Sequence, residues 1–274
     1  MTSPSPSRRA ASQRAASQRR ALAGAILPPL LGCATVLAVW WLAGWRIAAN
    51  PDTANFAGFA PGPTLWRLVD LVAAGELWRS VGPSLFRVGQ GMAVAVALGV
   101  PLGVLVGGSR TVRAATHIPF QFLRMVSPLA WMPIAVLMFA TWDGAIVFLI
   151  AAAAVWPVTF ATANGLAKID PNWFKVARNL GAEPVQMLRV VILPAIARDV
   201  LTGIRLALGV AWIVLVPAEY LGVTSGLGYA INDARDTLEY DRLTAMVLVI
   251  GTLGFALDGL CLAAIRRFGW DHER

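Results

Sequence analysis

Gly144-Ala-Ile-Val-Phe-Leu-Ile-Ala-Ala-Ala-Ala-Val-Trp-Pro-Val-Thr-Phe-Ala-Thr-Ala-Asn-Gly-Leu166 carries no charged side chain over 23 residues. The hydrocarbon core of a bilayer is crossed by about 20 apolar residues in helical form. No water is present there to satisfy backbone groups, so a segment of this kind is helical or part of a closed barrel. Comparable runs occur at 22–45, 84–107, 118–140, 201–222 and 243–265. The whole chain agrees: 57% of its 274 residues are hydrophobic, 14% are charged, and the mean hydropathy is +0.65. One or two soluble domains would fit the length but not this composition. The fold class is therefore all-α, a polytopic helical membrane protein with about six transmembrane helices.

The formal charge of +8 does not form a stripe of the kind that binds nucleic acid. Arg8, Arg9, Arg14, Arg19 and Arg20 precede the first apolar run, and most of the other basic residues fall in short gaps. Arg110 and Arg113 occupy one gap, Lys168, Lys175, Arg178, Arg189 and Arg198 another, and Arg266 and Arg267 the tail. By the positive-inside rule these gaps and both termini are cytoplasmic. The gap at Trp142 has no basic residue, and Arg235 and Arg242 are offset by Asp233, Asp236, Glu239 and Asp241, so these two face outward. The 46–80 loop, with Arg46, Arg67 and Arg79, fits this scheme least well. Arg8-Arg9 is not followed by the apolar pair of a twin-arginine signal, and an uncleaved first helix is expected.

Four regions follow. Residues 1–20, rich in Ser, Ala and Arg, read as a disordered basic N-terminus. Residues 21–83 hold the first span and an external loop with a short amphipathic helix from Thr64 to Trp78. Residues 84–268 form the core, with a cytoplasmic loop at 168–194, and 269–274 are a tail. Prolines within the spans, among them Pro128, Pro133, Pro157 and Pro217, indicate kinked or broken helices. The 118–140 and 201–222 spans are expected to line an interior path.

No catalytic or metal-binding constellation is present in the sequence. Cys33 and Cys261 have no neighbouring ligand, and His117 and His272 are isolated. A phosphate-binding loop needs glycines leading into Lys, whereas Lys168 and Lys175 follow Ala167 and Phe174. No enzyme activity or bound cofactor is expected of this chain. Charges within or beside the spans, namely Arg87, Arg124, Asp143, Arg205, Glu219 and Asp258, should face the bundle interior and be paired. For Arg87 and Arg124, guidance of an anion and snorkelling to the interface both remain open.

The stretch Asp170 to Pro194 is not a span. Asp170 is a good N-cap, Pro171 suits the first helical position and Gly181 supplies a stop. Trp173, Val176, Ala177 and Leu180 share one face of the resulting helix, and a second helical piece from Glu183-Pro184 ends before Pro194. Such a helix lies on headgroups, packs on its own bundle or docks into another protein, and periodicity alone does not choose.

Lys175-Val176-Ala177, three residues, Gly181, nine residues, then Val191-Ile192-Leu193-Pro194 resembles the E-A-A loop of ABC-importer permeases. Lys175, Val176 and Val191 depart from its usual residues, and Gly181, Leu193 and Pro194 match. Ala177–Ala182, Leu201–Trp212 and Ser225-Gly226-Leu227-Gly228-Tyr229 are similar to the nitrate/sulfonate/taurine branch of that family, over residues 80 to 268. Ser127–Ala135 and Trp156-Pro157 resemble its nitrate and bicarbonate type.

The resemblance implies a type I importer permease in the bacterial plasma membrane, with a five-helix core plus one N-terminal helix. It implies a second permease chain, two ABC ATPase subunits that hold ATP and Mg, and an extracytoplasmic solute-binding protein as partners. Trp173, Lys175, Val176, Ala177, Arg178, Leu180, Gly181, Leu193 and Pro194 would form the ATPase-coupling contact. Arg87, Arg124, Trp131, Trp156 and Glu219 are assigned to the translocation path, Glu219 because it matches the Glu of the family's A-E-[MYF] segment; an interhelical ion pair is the other reading of Glu219. The implied solute is a small anion, nitrate first and an organosulfonate or taurine next. An ion-gradient-driven secondary transporter is the rival, although no internal repeat is visible.

Overall fold

A computed structural model describes the backbone of residues 6–268 and the side chains of residues 27–267. Every regular element among the described residues is helical. The chain forms two compact units, residues 1–67 and 68–274.

In the first unit, α1 (Pro6–Ala49) contains one span, Leu27–Ala49. The helix begins well before the apolar run, so residues 6–20 are not the disordered segment expected. Their Ala, Arg and Gln content favours helix. Residues 1–5 and the 269–274 tail lie outside the described residues. After α1 the chain turns at Asn50-Pro51-Asp52, where Asp52 N–H donates to Asn50 Oδ1 at 3.1 Å. It returns through a 3₁₀ turn, Ala54–Phe59, and Trp40 Nε1 donates to Phe59 O at 2.9 Å. A Cβ at Gly44 would lie 2.8 Å from the Ala60 Cβ, so this return needs a glycine on α1.

Helix α2 (Pro61–Ala73) ends at Gly75, whose φ of 72° is a left-handed conformation that glycine accepts without strain. This turn starts α3 (Glu76–Gly108) eight residues ahead of the expected span and places Trp78 in α3 instead of the external helix.

Helix α4 (Arg110–Met125) and α5 (Met132–Met138), joined by a 3₁₀ turn at Pro128–Trp131, replace the continuous 118–140 span. The two pieces meet at 85°. Pro128 disfavours the helical conformation at the residue before it, and Val126 and Ser127 accordingly sit at ψ 125° and 128°. Pro157 and Pro217 behave otherwise, for they lie inside the unbroken helices α6 (Trp142–Ala167) and α9 (Leu193–Gly222).

Between them come α7 (Pro171–Asn179) and α8 (Pro184–Gln186), the latter running through a π-helical stretch, Met187–Ile192, into α9. The second helical piece therefore does not end before Pro194. A π turn holds an extra residue, which relieves the clash between a proline ring and the preceding turn and absorbs its missing N–H. Helices α10 (Leu227–Asp236) and α11 (Tyr240–Phe268) complete the unit. Among the described residues, five stretches have the length and composition of spans, or six if the bent α4–α5 pair counts as one.

The second unit is built on α3, α6 and α9. Gly91, Ala95, Gly99, Gly103 and Gly107 recur every fourth residue on α3 and lie against α6. A Cβ at Gly103 would be 2.4 Å from Thr162 Cβ, and one at Gly91 2.4 Å from Ile150 Cγ2. In lipid, where apolar burial adds little, such small-residue contacts supply the helix packing. Ile146, Leu149, Ile150 and Val158 of α6 and Ala207, Ala211 and Leu215 of α9 fill the adjoining core. Helix α11 is tied to α9 by Trp212 Nε1 donating to Ile250 O at 3.2 Å and by Arg205 donating twice to Asp258, at 2.6 and 2.7 Å.

Candidate functional site

Helices α3, α6 and α9 bring polar groups together at three levels. Gly107 at the end of α3 packs on Leu166 at the end of α6, so both helices finish at the membrane face that carries α7. The first polar group lies near the opposite face.

There Arg87 of α3 is buried, its side chain 4% exposed. Its Nε donates to Asp143 Oδ1 at 2.6 Å, Nη1 to Glu219 Oε1 at 2.6 Å and to Ser225 O at 2.9 Å, and Nη2 to Ser225 Oγ at 2.8 Å. Glu219 of α9 is fully enclosed. Its carboxylate also accepts from the Ser84 hydroxyl at 2.8 Å and from Gly228 N–H at 3.0 Å, while Ser84 Oγ accepts from Leu227 N–H at 2.8 Å. A Cβ at Gly226, where φ is 109°, would fall 2.5 Å from the Glu219 carboxylate. The glycines of Ser225-Gly226-Leu227-Gly228 are thus what lets this turn close over a buried carboxylate.

The second group is a cavity of about 710 Å³ whose walls include Arg124, Trp131, Trp156, Phe160, Asn164 and Thr202. Arg124 sits 5.4 Å above the Phe160 ring, and Trp156 meets Phe120 edge-on at 5.3 Å and Phe160 at 6.4 Å. Lys168 and Asp199, paired at 2.6 Å, stand at the α7 end. Arg124 has no carboxylate within ion-pair distance among the described residues, so its charge is available to the cavity. A cation in an aromatic-walled cleft concentrates anions.

The third group is α7 and its surroundings. Asp170 accepts from Asn172 N–H at 2.8 Å. At the other end Gly181, at φ 81°, donates to Arg178 O at 2.9 Å, and Ala182 donates to Ala177 O at 3.0 Å. These two bonds close a Schellman turn. Ala177 packs inward, whereas Trp173, Val176 and Leu180 are 45%, 58% and 82% exposed. With Val190, Val191 and Pro194 they border a groove of about 380 Å³. Lys175, Arg178 and Leu193 are exposed around it.

Of the residues assigned from sequence to one path, Arg124, Trp131 and Trp156 share a cavity. Arg87 borders a different recess of about 1030 Å³ that also includes Asp143 and Gln90. Glu219 borders neither and is the centre of the ion-pair cluster. Ser84, Phe160 and the Lys168–Asp199 pair were not legible in advance. Phe160 lies one turn beyond Trp156, a spacing that would have placed it on the same helix face. Ser84 carries no such signal.

Residues 99–269 match the family model of the binding-protein-dependent transport system inner membrane component. The chain is 38% identical over 186 residues to the bicarbonate transport system permease protein of Synechococcus elongatus, covering 67% of this chain and 66%, just under two thirds, of that relative. It is 32% identical to the taurine transport system permease protein of Escherichia coli, covering 85% of each. Among solved structures, a chain of the MetNI methionine ABC transporter in an inward-facing conformation superposes with a TM-score of 0.61 at 18% identity, covering 70% of this chain and 95% of that one.

Proposed function

Since the chain belongs to the family of binding-protein-dependent transport system inner membrane components, we propose that it forms the translocation pathway of an ATP-driven importer for a small anion. It is a multi-pass protein of the bacterial inner membrane, and both termini are assigned to the cytoplasm by the basic residues of the gaps. The observation that carries the importer reading is the capped, solvent-facing α7 with its apolar groove. A membrane protein that kept this helix for itself would bury Trp173, Val176 and Leu180; here they are 45%, 58% and 82% exposed, Phe174 is half-buried and Ala177 is buried. An amphipathic helix presented this way fits a groove on another protein.

The partners in this reading are a second permease chain, two ATPase subunits and an extracytoplasmic solute-binding protein. ATP and Mg are held by the ATPase subunits, and no cofactor is held by this chain. Closure of the ATPases displaces α7, and the continuous helix from Pro184 to Gly222 carries that displacement into the membrane.

The anion class is supported by the Arg124 cavity and by the names of the bicarbonate and taurine relatives. Nitrate rests on the resemblance of Ser127–Ala135 and Trp156-Pro157, and the first residues of the former make the bend between α4 and α5. That bend is a geometric role which permeases for several solutes could share. A planar oxyanion and an organosulfonate thus remain the two candidate solutes, and flux measured with each ion through the reconstituted complex separates them.

The test is co-purification of tagged wild type and Leu180→Asp, each co-expressed with candidate ABC ATPase subunits of the same bacterium. Leu180 is 82% exposed, so the variant folds. Capture by wild type and its loss in Leu180→Asp are expected. Failure of the folded wild type to capture any ATPase refutes the importer reading and returns the gradient-driven transporter to first place.

A further inference from the structure

We propose that α4 is a docking surface for anionic phospholipid headgroups at the membrane face that carries α7. The position of the helix is the first support. It starts beside the ends of α3 and α6, and it turns 85° from α5, whose Met132 and Ala135 pack with Ile146 and Leu149 of α6. The first turns of α4, with Arg110 and Arg113, therefore lie at that membrane face, whereas Phe120 and Arg124 reach Trp156 and Phe160 deeper in the bundle.

Its three faces supply the second support. Val112, Thr116 and Phe120 turn toward the protein. Ile118, Phe122 and Met125 are 77%, 69% and 66% exposed and form an apolar strip. Between them Arg110, Arg113, His117 and Gln121 follow one another at spacings of three and four residues, and Arg124 beyond them turns into the aromatic cavity. A helix of this pattern lies in the interface, its apolar strip among acyl chains and its basic strip at headgroup level.

The charge identifies the ligand. Arg110–Met125 contains no Asp or Glu, and Arg110 and Arg113 have no carboxylate within ion-pair distance among the described residues. Arg113 donates through Nε and Nη2 to Val106 O and Gly107 O at 3.4 and 3.2 Å, which fixes the guanidinium and leaves Nη1 without a protein partner. Arg110 is exposed one turn away. A phosphodiester supplies the missing counter-charge, and only a lipid with net negative charge supplies it without a competing cation. A second copy is a poor occupant, because the same membrane face adds Lys175, Arg178, Arg189 and Arg198 against Asp170 and Glu183.

The full-length chain, purified in mild detergent with equal phosphatidylglycerol and phosphatidylcholine, is analysed by native mass spectrometry for retained lipid. Wild type should retain phosphatidylglycerol preferentially, Arg110→Lys should keep that preference, and Arg110→Gln should reduce it about fivefold, equivalent to about 1 kcal/mol per surface arginine. Arg110→Gln leaves the Arg113 cap intact and tests the surface without disturbing the fold. Equal retention of the two lipids by wild type, or an unchanged preference in Arg110→Gln, overturns the proposal. So does efficient Ile118→Cys disulfide dimerisation in a background lacking Cys33 and Cys261, which would place a second copy on this face.

Discussion

Arg87→Ala leaves the Glu219 carboxylate fully enclosed and without a counter-charge. Ser84 and Gly228 still donate to it, so two of its hydrogen bonds survive. Removing one member of a buried pair costs about 3–5 kcal/mol, because the partner remains desolvated. Asp143 adds little, since its side chain is 64% exposed and its pairing is screened by solvent. Glu219→Gln preserves shape and leaves Arg87 its bonds to Asp143 and Ser225, so its cost should be smaller, about 1–3 kcal/mol. The double variant carries no uncompensated buried carboxylate and should be more stable than the sum of the single losses by about 2 kcal/mol. Reversible unfolding of the purified chain in mixed micelles, followed by circular dichroism, gives all four free energies. Additivity within about 0.5 kcal/mol would mean that the two side chains do not depend on each other, and the clamp assigned to α3, α9 and the 225–228 turn would be wrong.

Gly226→Ala forces a side chain into a left-handed φ and onto the Glu219 carboxylate, and should destabilise the chain by about 2 kcal/mol or more in the same unfolding assay. Gly103→Val should cost about 1–3 kcal/mol or prevent α3 from seating, read as loss of monodisperse protein by size exclusion; wild-type behaviour would disprove the close α3–α6 contact. If Arg124 attracts the solute, Arg124→Ala should raise the apparent KM for uptake about tenfold or more while kcat holds, as loss of one charge-assisted hydrogen bond allows; an unchanged KM would leave it a structural residue. Lys168→Ala breaks a pair that is 69% exposed on the lysine side, and should change stability by less than about 1 kcal/mol.

Composition and run length made the membrane class and five of the six spans readable, because the hydrocarbon solvent imposes a length on any helix that crosses it. The bend at Ser127 was foreseeable in kind but not in place. Pro128 and Pro157 look alike in sequence, yet one ends a helix and the other is absorbed, since neighbouring groups decide whether the freed carbonyl is satisfied. The α7 segment was legible because Asp170, Pro171 and Gly181 act through local backbone geometry. The Arg87–Glu219 pair joins residues more than a hundred positions apart, and no periodic signal links them. Ser84 was invisible for the same reason: an isolated serine on a helix means nothing until the chain folds a carboxylate against it.

The repeat of small residues from Gly91 to Gly107 also fixes which parts of the molecule are free to move. Sliding α3 along α6 by one residue would drive valine or leucine side chains into space sized for hydrogen atoms, and tilting the helices apart would empty the contact at once. The two helices therefore behave as one plank with no internal degree of freedom. Alternation between states has to be hinged elsewhere, at the Val126-Ser127 elbow or at the π turn below α9, where the backbone already departs from regular helix.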